Sequence, residues 1–113
     1  MARPRRVAEA GEAPGALAAA GERRFELSGD VGFADAARLL AEGDAAFRGL
    51  DTVEVDLARV GRADSAGLAL LLEWSLEAKD TGRVLRYRNV PASLASLAGI
   101  SDVAELLAPA SGG

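Results

Sequence analysis

Between Val53 and Leu76 the hydrophobic spacing switches from a period of two to a helical period, and this constrains the fold more than any other stretch. Val53, Val55 and Leu57 alternate with Glu54, Asp56 and Ala58, the pattern of a half-buried strand. Leu68, Leu71, Leu72 and Leu76 then recur at helical spacing. The intervening Arg62-Ala63-Asp64-Ser65-Ala66-Gly67 reads as a sharp polar turn. Asp64 and Ser65 are both good N-cap residues, so the free amides of the helix are expected at or near the Ser65 hydroxyl.

The remaining chain extends this strand-to-helix unit in both directions. Gly15 to Ala20 and Arg23 to Leu27 suggest a weak hairpin, with Ser28-Gly29-Asp30 breaking the second strand. Phe33 to Phe47 reads as a helix with Phe33, Ala36, Ala37, Leu40 and Phe47 near one stripe, weakened at Gly43. Gly49 to Asp51 turns the chain into the central strand. After the central helix, Thr81-Gly82 is a stop signal, and Val84, Leu85 and Tyr87 among arginines read as another strand. Pro91 then opens a short helix through Leu94, Leu97 and Ala98, closed by Gly99, and Ser101-Asp102 caps a last turn. Strand-helix-strand units joined by right-handed crossovers predict an α/β domain with a mostly parallel sheet of about four strands packed by helices. A domain over residues 15–108 is expected, with tails at 1–14 and 109–113.

Composition narrows the chemistry. At 113 residues the chain is one domain, and its core must come from Leu, Val and Ala because Phe25, Phe33, Phe47, Trp74 and Tyr87 are its only aromatics. A net charge of −4 argues against a nucleic-acid footprint. There is no Cys and no His, which removes disulfides, thiolate metal sites and the commonest general base. No cofactor is expected. No run approaches the roughly 20 apolar residues of a membrane span. Glu9, Glu12 and Pro14 interrupt any signal-peptide core, so a cytoplasmic protein is expected. For Ser65 to act as a nucleophile it would need a base, and Lys79 lies about four helical turns away, roughly 21 Å at 1.5 Å per residue. With no Gly-rich phosphate loop either, the chain is not expected to be an enzyme.

Within the central helix, Leu68, Leu72, Ser75 and Lys79 share one face, with Leu71, Leu76 and Ala78 at its flanks, and this face is expected to lie on the sheet. Leu70, Glu73, Trp74 and Glu77 then project outward, an apolar pair among carboxylates. Two explanations stay open, a partner site or a surface covered by the C-terminal segment.

The acidic strand end followed by Asp64-Ser65-Ala66-Gly67-Leu68 resembles the signature of the STAS-domain family of bacterial anti-anti-sigma factors. The longer run from Asp56 to Leu72 is similar to its MlaB-like branch, the small cytoplasmic STAS subunits of phospholipid-transport ABC complexes. The resemblance implies the STAS fold, a non-catalytic role, and a docking face for an ABC ATPase at Asp64, Ser65, Ala66 and Gly67, to which it adds Leu70, Glu73 and Trp74. It places the chain peripheral to the inner membrane through a complex that also holds permease and periplasmic substrate-binding subunits. The anti-anti-sigma branch implies an alternative, binding of an anti-sigma kinase with Ser65 as phosphoacceptor. There the next residue is often a second hydroxyl residue, and here it is Ala66.

Overall fold

A computed structural model of the chain describes residues 14–100, with side chains through Leu97. The expected turn at Ser101-Asp102, the C-terminal tail and all but Pro14 of the N-terminal tail lie outside those residues. Pro14 forms an isolated bridge with Asp30. The elements are β1 (Ala16–Ala19), β2 (Arg24–Val31), α1 (Phe33–Phe47), β3 (Thr52–Ala63), α2 (Ser65–Thr81), β4 (Val84–Arg88) and α3 (Ala92–Ile100). The four strands form one sheet in the order β1-β2-β3-β4. β1 runs antiparallel to β2, as the hairpin pattern predicts, while β2, β3 and β4 are mutually parallel and joined through α1 and α2.

Two strands run further than the sequence suggests. Ser28-Gly29-Asp30 does not end β2. The ladder slips between Glu26 and Ser28 and again between Gly29 and Val31, with Gly29 at a φ of 79°, and pairing continues to Val31 opposite Ala63. Glycine permits this left-handed kink at no steric cost, so the strand bends instead of stopping. β3 likewise continues through Val60-Gly61-Arg62-Ala63, so no polar turn separates strand from helix. A single residue, Asp64, makes the junction.

The helices cover one face of the sheet. Phe25, Leu27, Val53, Val55, Leu57 and Tyr87 point into the core beneath them. The alternating residues Glu26, Glu54, Asp56 and Arg88 make a charged opposite face, where Arg59 pairs with Glu26 at 3.0 Å and Arg88 with Glu54 at 3.2 Å. On that face Asn89 donates to the Asp56 carboxylate at 2.9 Å, and this bond, the Ala58 amide and nearby arginines hold the Asp56 carboxyl below its ordinary range.

The core between sheet, α1 and α2 is organised by three aromatic rings. Phe25 meets Phe47 edge-on at 5.1 Å between centroids, and Phe47 meets Trp74 edge-on at 5.3 Å. The buried stripe of α1 is Leu39, Gly43 and Phe47, with Ala36 and Leu40 packed at its margin. Gly43 does not end the helix. A Cβ there would collide with the Trp74 indole, so the glycine is where α2's largest side chain enters. Phe33, expected in the stripe, is instead 87 % exposed. It sits in the first turn and off the axis set by residues 36, 39, 43 and 47, where nothing among the described residues covers it.

The expected outer face of α2 is also corrected. Leu70 and Trp74 are 2 % and 1 % exposed, and the inward stripe is Gly67, Leu70, Leu71, Trp74 and Ala78, with Leu68 at its edge. The inward axis lies roughly a quarter-turn from Leu68 at 3.6 residues per turn. Leu72 and Ser75 are half-buried, Lys79 is exposed, and the solvent side carries Ala69, Glu73 and Leu76. The helix has leucines around almost its whole circumference, so periodicity alone does not orient it. α2 closes at Gly82, φ 75°, where Arg83 N–H donates to the Ala78 carbonyl at 2.8 Å. α3 continues through Gly99 to Ile100, beyond the expected stop.

Candidate functional site

Asp64 gathers the start of α2. Its Oδ1 accepts from the Ala66 amide at 2.8 Å and the Gly67 amide at 3.2 Å, and its carbonyl accepts from Leu68 N–H at 3.1 Å. Such a cap contributes on the order of 1 kcal/mol. The Ala66 and Gly67 amides are thus held by Asp64 and not by the Ser65 hydroxyl. Ser65 occupies the first helical position and is exposed.

Gly67 has a packing role. A Cβ on it would strike the Val31 carbonyl oxygen, so the first turn of α2 lies directly on the end of β2. A second acid fixes the strand ends from the other side. Asp30 Oδ1 accepts from the Arg62 amide at 2.9 Å, and a Cβ on Gly61 would stand only 2.7 Å from the same oxygen. The Asp64 carboxylate in turn lies against Gly32, where a Cβ would come within 2.9 Å of Oδ2. The carboxyl ends of β2 and β3 and the amino ends of α1 and α2 are therefore tied into one rigid corner. An open cleft of about 550 Å³ lies beside it, bounded by Asp30, Val31, Gly32, Gly61, Arg62, Ala63, Asp64 and Ser93.

Of the residues expected at a docking face, Asp64, Ser65 and Glu73 are exposed and Ala66 is half-buried. Gly67, Leu70 and Trp74 are buried, so they shape the corner and the core and present no surface to a partner. Sequence reasoning missed Asp30, Gly32, Arg62 and Ser93. Gly32 did carry a signal, a small residue directly before a helix start. Among the described residues no cluster of three His, Cys, Asp or Glu side chains is arranged to hold a metal. None of the described helices is long and apolar enough to cross a membrane.

A family model described as "Mlab, STAS domain" matches residues 16–108. The chain belongs to this family of STAS domains. No curated protein matches the sequence. Among solved structures, the STAS domain is similar to the anti-sigma factor antagonist SpoIIAA in its unphosphorylated form. That match has a TM-score of 0.65 at 14 % identity and covers 82 % of this chain and 84 % of that one. The shared fold is a four-stranded mixed sheet with helices on it, the α/β class that the sequence predicts.

Proposed function

We propose that this STAS domain is a non-catalytic cytoplasmic subunit of a phospholipid-transport ABC system, docking on the ATP-binding subunit through the corner that carries Asp64 and Ser65. The observation that carries this reading is the match of residues 16–108 to the Mlab-type STAS model. The geometry supports it. Asp64 holds the helix start rigid and leaves Ser65 outward, a preorganised polar spot that needs no rearrangement to meet a partner. Lipid handling belongs to the assembled transporter, to which this subunit contributes support of the ATPase.

The likeness to SpoIIAA favours a second reading, an anti-anti-sigma factor switched by phosphorylation at Ser65. Helix amides that would favour a phosphate there are already taken by the Asp64 carboxylate. A phosphoryl group on Ser65 would stand beside that carboxylate as unneutralised charge, adding almost two negative charges to the surface.

Isothermal titration of the full chain with the purified ATP-binding subunit of a phospholipid transporter tests the proposal. Wild type is expected to bind, and Ser65→Glu, an acid tolerated in a helical first turn, is expected to abolish binding without loss of fold. No heat of binding to the ATPase, together with ATP-dependent phosphorylation of Ser65 by an anti-sigma kinase, would replace it with the second reading.

A further inference from the structure

We infer that Phe33 is the aromatic anchor of the docking corner, seating in an apolar pocket of the ATP-binding subunit while Asp64 and Ser65 form its polar rim. The inference rests on the docking reading above and names the residue that supplies its contact area. Phe33 is 87 % exposed, far more than Leu76 and Val84, the other exposed large hydrophobics among the described residues, at 48 % and 42 %. A single exposed hydrophobic residue is ordinary in itself. Its placement is what distinguishes this one. Phe33 and Ser65 are each the first residue of a helix, and the two helix starts touch through Gly32 and the Asp64 carboxylate.

The ring is also presented on a fixed backbone. Asp35 and Ala36 amides donate to the Gly32 carbonyl at 3.0 and 2.9 Å, which locks the first turn of α1. The Asp35 carboxylate then accepts from Arg38 at 2.8 Å and from the Gly15 amide at 3.3 Å, tying that turn to the start of β1. An aromatic held this way gives up little backbone freedom on docking, a property shared by interface hot spots. Ala34 and Ala37 beside it are exposed and small, leaving room for the wall of a pocket.

The charges at the two helix starts favour a different protein over a second copy of this chain. Arg38 is paired with Asp35 and Glu42, which leaves the Asp30 and Asp64 carboxylates at the cleft against Arg62 alone. A twofold contact through Phe33 would set this excess of carboxylates against itself, whereas a partner pocket with a basic rim would complement it.

The test is titration of the full-length chain with the purified ATP-binding subunit, comparing wild type, Phe33→Ala, Phe33→Trp and Ser65→Glu, with melting curves for each. Phe33→Ala is expected to weaken binding by about tenfold or more, Phe33→Trp to stay within about threefold of wild type, and both to melt as wild type does. If Phe33→Ala binds like wild type while Ser65→Glu does not bind, the anchor is rejected and the docking reading stands. Failure of wild type itself to bind rejects the docking reading. A wild-type dimer in sedimentation equilibrium that Phe33→Ala dissociates would identify a second copy as the occupant and overturn the inference.

Discussion

Trp74 and Phe33 occupy opposite positions in this domain, and each is where the other was expected. Trp74 lies mid-helix among Leu70, Glu73 and Glu77, a setting that reads as surface, yet it is the largest fully buried side chain. Phe33 begins a helix in an apparent core stripe, yet it stands in solvent. The difference comes from what faces each residue. Trp74 meets Gly43 of α1, whose missing side chain makes an indole-sized recess, and the Phe47 ring closes that recess. Among the described residues Phe33 meets no covering element, because α1 starts past the end of β2 and its buried axis runs through residues 39, 43 and 47. A side chain's neighbours on other elements decided burial in both cases, and those neighbours are invisible to a period counted along one helix.

The strongest way to break this contrast is Trp74→Ala. Removing a fully buried indole costs about 3–5 kcal/mol, so denaturant unfolding should show a large drop in midpoint, if the variant folds at all. The single tryptophan should also emit in the blue in the free wild-type protein and shift little on adding the ATP-binding subunit. A red-shifted free protein would put Trp74 back on the surface.

Gly43→Ala tests the other half of the same contact. In an ordinary helix this change gains about 1 kcal/mol. Here the new methyl falls inside the indole, and overpacking costs about 1–3 kcal/mol. A net loss of up to about 2 kcal/mol is expected by chemical denaturation, and a gain would show that the recess is not needed. The indole N–H makes no hydrogen bond within the described structure, so packing against Gly43 and the Phe47 ring holds the indole.

Asp64→Ala probes the corner shared by Ser65 and Phe33. Loss of the cap should cost about 0.5–2 kcal/mol, while Ser65→Ala, which removes no cap, should cost less. Equal losses for the two in thermal melts would return the capping role to Ser65.

A smaller, pH-dependent effect is expected at the far end of α2. The Asp44 carboxyl hydrogen-bonds Glu77 and, with partial burial, raises the Glu77 pKa, while Arg83 opposes this and Glu73 adds to it. An acid whose folded pKa is raised binds its proton more tightly when folded, so stability falls as pH rises from the unfolded-state value of Glu through the folded one. Glu77→Gln should remove that slope and be at least as stable as wild type at neutral pH, measured by melts across pH 4 to 7. A steeper slope in the variant would reverse the assigned sign. Phe33→Ala should have the least effect on stability, within about 0.5 kcal/mol, as for exposed positions generally.

Much of the scaffold was legible in advance because it rests on local rules. The hairpin, the bounds of α1 from Phe33 to Phe47, the stop at Gly82 and the parallel order of β2, β3 and β4 follow from periodicity, glycine placement and crossover handedness. Asp64 and Ser65 were legible as a helix start for the same reason. The division of labour between them was not, because either side chain can cap and only backbone geometry selects one. The strand through Gly29 and the extension of β3 to Ala63 were hidden because inter-strand pairing overrode local breaking signals. The orientation of α2 was hidden because leucine at residues 68, 70, 71, 72 and 76 satisfies several inward faces equally well.

On the proposed function, a partner lands on the corner built by Gly32, Phe33, Asp64 and Ser65. Hydrogen–deuterium exchange of the full chain, with and without the purified ATP-binding subunit, addresses it most directly. New protection is expected to be confined to peptides spanning residues 30–36 and 61–68, with the 70–80 peptides unchanged. Protection appearing on the charged sheet face at residues 54–59 and 84–88, with the corner unchanged, would contradict it.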